Sequence, residues 1–199
     1  MGSTSRRILT VCNPDVATTT DTSKDLSTAP QTTYYFGYGS NLWLDQMRRR
    51  CPSSNHIGIA ILHDWKWIIC DRGYANVIPS PGDSVWGMVY ILSAHDEAYL
   101  DRNEGVPTIY QKKLINIDFM PKNGCGVDRV TIEGLVYVDV ERTRVAAIEE
   151  EYVYRMNQGI RDAVQMGMPE EYVARCLRPF IPTEDPPGAG EVVDPFAVR

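Results

Sequence analysis

Two short stretches carry residue types able to bind an anion and to move a proton. The first, Gly37-Tyr38-Gly39-Ser40-Asn41, follows an aromatic run, Tyr34-Tyr35-Phe36, and precedes a helix-like segment. Glycines and small polar residues at such a junction aim several backbone N–H groups at one point, a ready site for a carboxylate or an oxyanion. The same residues also suit an ordinary turn, with glycine supplying the backbone angles and Asn41 capping the helix. The second is Glu104, set among apolar and turn residues just past a helix end. Partial burial there would raise its pKa and fit it for proton transfer near neutral pH, whereas an exposed loop carboxylate would do neither. Metal chemistry is not indicated. His56, His63 and His95 lack the i, i+4 spacing of a helical metal pair, and no Cys set lies near them.

The elements that must position these residues are legible from pattern. The aromatic run reads as a strand, and Leu42 to Met47 as a short helix ended by Cys51-Pro52. Strand-like runs recur at 57–62, 65–70, 75–79 and 85–92, separated by Asp, Gly and Pro. Ser93 is a plausible N-cap for a helix from Ala94 to Arg102, with Asp96 and Glu97 in its first turn. Runs at 111–120 and 130–139 predict a hairpin joined through Asn123-Gly124-Cys125-Gly126. Apolar positions from Val145 to Ala163 predict a helix over 142–166 with a break near Gly159, followed by a short helix from Glu170 to Leu177.

Length and composition bound the rest. The 199 residues suffice for one domain with a full core, and 43% hydrophobic with 23% charged residues is ordinary for a globular chain. A Ser/Thr-rich stretch, 1–33, reads as a disordered tail; 34–182 reads as the folded domain, and 183–199, with its prolines and glycines, as a flexible tail. The net charge of -6 argues against a nucleic-acid partner, and the run Arg48-Arg49-Arg50 reads as the solvated end of a helix. No apolar run reaches the roughly 18 residues that span a bilayer, and no secretory h-region follows Arg6-Arg7, so no membrane association is expected. Five cysteines of irregular spacing, with no CxxC pair, fit reduced thiols in the cytoplasm.

Three segments taken together go further. Tyr35 to Leu42, Ser80-Pro81-Gly82-Asp83-Ser84-Val85-Trp86-Gly87-Met88-Val89-Tyr90, and Leu100 to Val106 with Tyr110 resemble, in order and spacing, the γ-glutamylcyclotransferase family. The resemblance covers residues 34–180. It implies an α+β fold, a small mixed β-barrel with peripheral helices and a cavity at one end. It further implies that Tyr35, Phe36, Gly37, Tyr38, Gly39, Ser40 and Asn41 form the loop that holds a glutamyl group, with Tyr110 and Tyr152 facing the pocket. Tyr154, one alternation away, competes for the place of Tyr152. Glu104 would act as base and acid while a small γ-glutamyl amide cyclises to 5-oxoproline and releases an amine, amino acid or peptide. No cofactor or metal is implied, and a homodimer is common in the family. Two other readings use the same residues: an enzyme of secondary metabolism acting on a larger γ-glutamyl adduct, for which Trp65, Trp67 and Trp86 would form an open apolar mouth, and a non-catalytic binding protein. A glutathione-specific branch is disfavoured because it usually carries a YGSL-type loop, where this chain has Asn41.

Overall fold

The computed structural model describes residues 32–122 and 129–189. The expected disorder of the first 31 residues, the Asn123–Gly126 turn, and the expected flexibility of 190–199 lie outside that range.

Five strands close into a barrel in the order β1-β3-β2-β4-β5. They are β1 (Thr33–Gly37), β2 (Asn55–Ile69), β3 (Ala75–Leu92), β4 (Gln111–Pro121) and β5 (Val130–Val138). Neighbours pair antiparallel, except where β1 meets β5 in parallel at Tyr35 and Leu135 to close the ring. Aromatic and β-branched residues favour such half-buried pleated surfaces. Both faces of the sheet are covered: Phe36 on one face of β1 and β3 and Met88 and Leu92 on the other are fully buried, as are Leu62, Ile117 and Leu135, each stabilising the fold by about 1.5–3 kcal/mol.

Four expected strands in the middle of the chain are two long ones. β2 and β3 stay paired from Asn55↔Ile91 to Ile69↔Ala75, with a register shift between His63 and Trp65. Pro79 stays in the ladder opposite Trp65, whereas Asp64 and Pro81 sit in a bulge: Asp64 has φ 64, and its carboxylate accepts the Gly82 N–H at 2.9 Å. A bulge admits proline without ending the ladder, and pairing resumes on the far side with the same partner.

The helices pack outside. Ser40–Leu42 forms a single 3-10 turn leading into α1 (Leu44–Arg50); α2 spans Ala94–Asn103, and the Ser93 hydroxyl accepts from the Asp96 N–H, as expected of an N-cap. α3 runs Glu150–Gln165, and α4 (Glu170–Tyr172) continues as a π-helical turn over Val173–Leu177. The expected start of α3 at 142 is corrected to 150. Backbone donors in the intervening stretch are claimed elsewhere: Asp139 accepts from the N–H of Glu141 and Arg142, Ala146 donates to Ile69 O, and Glu149 donates to Gly73 O. Nor is α3 broken at Gly159. A Cβ there would lie 2.9 Å from Leu42 Cβ and 3.0 Å from Trp43 N, so glycine lets the helix cross directly over the 3-10 turn. Within 183–189, Asp185 accepts from Asn157 at 2.7 Å and Ala189 is buried.

Candidate active site

β1 ends at Gly37, and the chain that leaves it, Tyr38 to Asn41, is locked from several directions. The Trp67 indole donates to Tyr38 O at 3.0 Å, and the Tyr90 hydroxyl donates to Asn41 O at 2.9 Å. From α3, Tyr152 Oη accepts the Ser40 N–H at 2.9 Å. Gly39 is required by closeness, since a Cβ would stand 2.7 Å from that same hydroxyl.

Asn41 does not cap α1. Its amide nitrogen donates to Tyr35 Oη at 2.8 Å and to Glu104 Oε1 at 3.4 Å, while its oxygen accepts from Gln46 and Arg50. The first free N–H of α1, on Leu44, is instead satisfied by the Asp162 carboxylate of α3 at 2.8 Å. The loop is therefore wired to the carboxylate of Glu104, which is not the arrangement of a plain connecting turn.

Around these residues lies a cavity of about 80 Å³. Its wall includes Tyr35, Tyr38, Gly39, Ser40, Asn41, Glu104, Tyr110 and Tyr152, so eight of the sequence-predicted positions come together. Phe36 and Gly37 do not line it; Phe36 is buried in the core. Tyr152 faces the cavity, whereas Tyr154 packs edge-on against Trp43 with ring centroids 5.8 Å apart. Trp65, Trp67 and Trp86 are not in the wall.

Sequence reasoning missed the cations. Arg50, Arg72 and Arg155 all line the cavity. Of the run Arg48-Arg49-Arg50, the first two are exposed and pair with Asp45, but Arg50 is only 7% exposed. Helical spacing held that signal: Arg50 lies i+3 from Met47 and i+4 from Gln46, both buried. Arg155, one turn beyond Glu151, pairs with both of its carboxylate oxygens at 2.8 and 2.9 Å and reaches Ser40 Oγ at 3.4 Å.

Burial disfavours the charged form of Glu104 and raises its pKa above the usual carboxylate value; the fields of Arg50, Arg155 and Arg72 and the Asn41 hydrogen bond oppose that rise. Burial also pushes the Tyr35, Tyr38 and Tyr110 hydroxyls well above the ordinary phenol value, with the Glu104 charge adding to each, so they stay neutral donors. The cavity thus offers a poised carboxylate among phenols and guanidiniums, fit to hold an anionic polar chain and shuttle a proton along it. Among the described residues, no group of three or more His, Cys, Asp or Glu is placed to hold a metal ion, and no helix is long and apolar enough to cross a membrane.

A raised carboxyl pKa has a sign for stability. Folded Glu104 holds its proton more tightly than the unfolded chain does, so its ionisation costs stability as pH rises through the folded value. Glu104→Gln is therefore expected to melt higher than wild type at pH 8, with the gap closing as pH falls below the ordinary carboxylate range. A gap that does not vary with pH in thermal melts would contradict the raised pKa.

Comparison with known proteins agrees with the fold. The family model described as gamma-glutamyl cyclotransferase, AIG2-like, matches residues 35–158. The chain is 35% identical to bovine gamma-glutamylcyclotransferase over 82 residues, 36% of this chain and 44% of that protein. It is 36% identical to the mouse protein of the same name over 86 residues, 38% of this chain and 46% of that one. Each match thus spans less than half of the curated relative's length. A solved structure named gamma-glutamyl cyclotransferase superposes with a TM-score of 0.64 at 25% identity, covering 83% of this chain and 96% of the other.

Proposed function

The chain belongs to the gamma-glutamyl cyclotransferase, AIG2-like family, and from that premise we propose that it cleaves a γ-glutamyl amide by cyclising the glutamyl group, releasing 5-oxoproline and an amine, amino acid or peptide. The observation that carries this reading is the cavity in whose wall Asn41 of the Tyr38–Asn41 loop hydrogen-bonds the carboxylate of Glu104.

The reaction asks for little else. Glu104 takes a proton from the substrate's neutral α-amino group as that nitrogen attacks its own γ-carbonyl. As the amide C–N bond breaks, Glu104 returns the proton to the departing nitrogen. A raised pKa suits a group that must both take and give. Attack within one molecule, closing a five-membered ring, needs chiefly that the chain be held folded, a contribution of about 7–11 kcal/mol in well-oriented cases. The buried phenols and the guanidiniums of Arg50 and Arg155 are suited to holding the glutamyl carboxylate and the developing oxyanion. The Ser40 N–H is less available than the sequence implies, because Tyr152 already occupies it. This chemistry uses no cofactor, and the free thiols of Cys51, Cys70 and Cys176 suit a reducing compartment such as the cytosol. A larger apolar adduct is not favoured, since the cavity is small and no Trp stands in its wall.

The test is 5-oxoproline release from a panel of γ-glutamyl amino acids and glutathione. Release by the full chain supports the proposal. Silence on every member by folded protein overturns it.

A further inference from the structure

The three guanidiniums of the cavity are not equivalent. Arg155 is bound to both oxygens of Glu151, and Arg50 donates to Asn41 Oδ1 at 3.1 Å. Arg72 comes from the turn between β2 and β3, where its guanidinium lies over the rings of Tyr74 and Tyr110, 5.3 and 5.9 Å from their centroids. Its Nη1 is buried without a hydrogen-bond partner. Nearby carboxylates do not fill that position: Glu149 abuts Gly73, and Glu151 accepts from the Tyr74 hydroxyl and from Arg155. A buried donor on a cation is costly to leave unmade, and the rings of Tyr74 and Tyr110 restrain the planar fork.

From this we infer that Arg72 binds a carboxylate carried by the leaving group of the substrate. The inference rests on the cyclotransferase reading. Placement decides which end of the substrate is involved. Tyr35, Tyr38, Ser40, Asn41 and Arg50 are buried and form the floor, next to Glu104, where the glutamyl group must sit to react. Arg72, Tyr74 and Ile109 line the same cavity and are only partly buried; on the proposed reading they form the rim toward which the released portion points. The favoured substrate class is accordingly a γ-glutamyl amino acid or short peptide with a free carboxylate close to the scissile amide, in preference to the γ-glutamyl derivative of a neutral amine.

The test compares γ-glutamylalanine with γ-glutamylalaninamide, which differ only in that carboxylate. Wild type is expected to show kcat/KM about tenfold to a hundredfold higher for the acid, the range of a hydrogen bond to a charged group. In Arg72→Met the ratio should fall to near one, and Arg72→Lys, which keeps the charge but not the fork, should lie between. Calorimetric binding of both compounds to wild type is measured in parallel. Acid-selective binding that Arg72→Met abolishes supports the inference even if no 5-oxoproline forms, in which case only the cyclotransferase reading fails. Equal handling of the two compounds by wild type, or a preference that survives in Arg72→Met, overturns it.

Discussion

Glu104→Gln is expected to release 5-oxoproline at least about a hundredfold more slowly than wild type, within the range for losing a general base. The amide is nearly the same size as the carboxyl and keeps an oxygen to accept from Asn41, so the wiring of the loop survives. What it cannot do is take a proton from the substrate's attacking amino group and return it to the departing amine. The loss should therefore fall on kcat, with KM changing far less. The wild-type rate should also decline on the acid side with an apparent pKa above that of an ordinary glutamate, because burial raises the carboxyl and the three arginines only partly offset it. A variant that retains the wild-type kcat would remove Glu104 from the chemistry altogether.

Phe36→Ala should be the most damaging change to the fold among the motif residues, costing about 3–5 kcal/mol in urea titration. The ring is fully buried and packs near Tyr38, with centroids 6.3 Å apart, and it also fills the space beside Gly87, where a Cβ would come within 2.7 Å of its edge. Since Phe36 is absent from the cavity wall, the folded remainder of the variant should keep the wild-type KM. A raised KM without loss of stability would place Phe36 in substrate binding, as its position in the motif suggests.

Legibility followed the range of the forces involved. The strand-to-turn junction at Tyr35–Asn41 and the Ser93 cap are local, set by neighbours in sequence, and both are where pattern put them. Strand pairing is a contest between distant segments. The Asp64 and Pro79–Asp83 signals were read as ends because nothing local reveals that β2 and β3 resume pairing beyond them. The start of α3 moved for the same reason, its would-be first turns being held by Ile69 and Gly73. The site divides likewise. Glu104, Tyr110 and Tyr152 sit in recognisable contexts, whereas Arg72 and Arg155 look like surface cations until the fold closes around them.

The loop that frames the cavity is built early in the chain but fastened late. Ser40 is held by Tyr152 and Arg155, 112 and 115 residues further on, and Leu44 by Asp162, 118 residues on. On a ribosome, the first part of the site therefore emerges long before its clasps exist, and it must wait for α3 before the Ser40 N–H and the α1 terminus are satisfied. Such long-range closure makes acquisition of the site one of the last events of synthesis, so a chain truncated before α3 holds the motif and Glu104 but no assembled cavity.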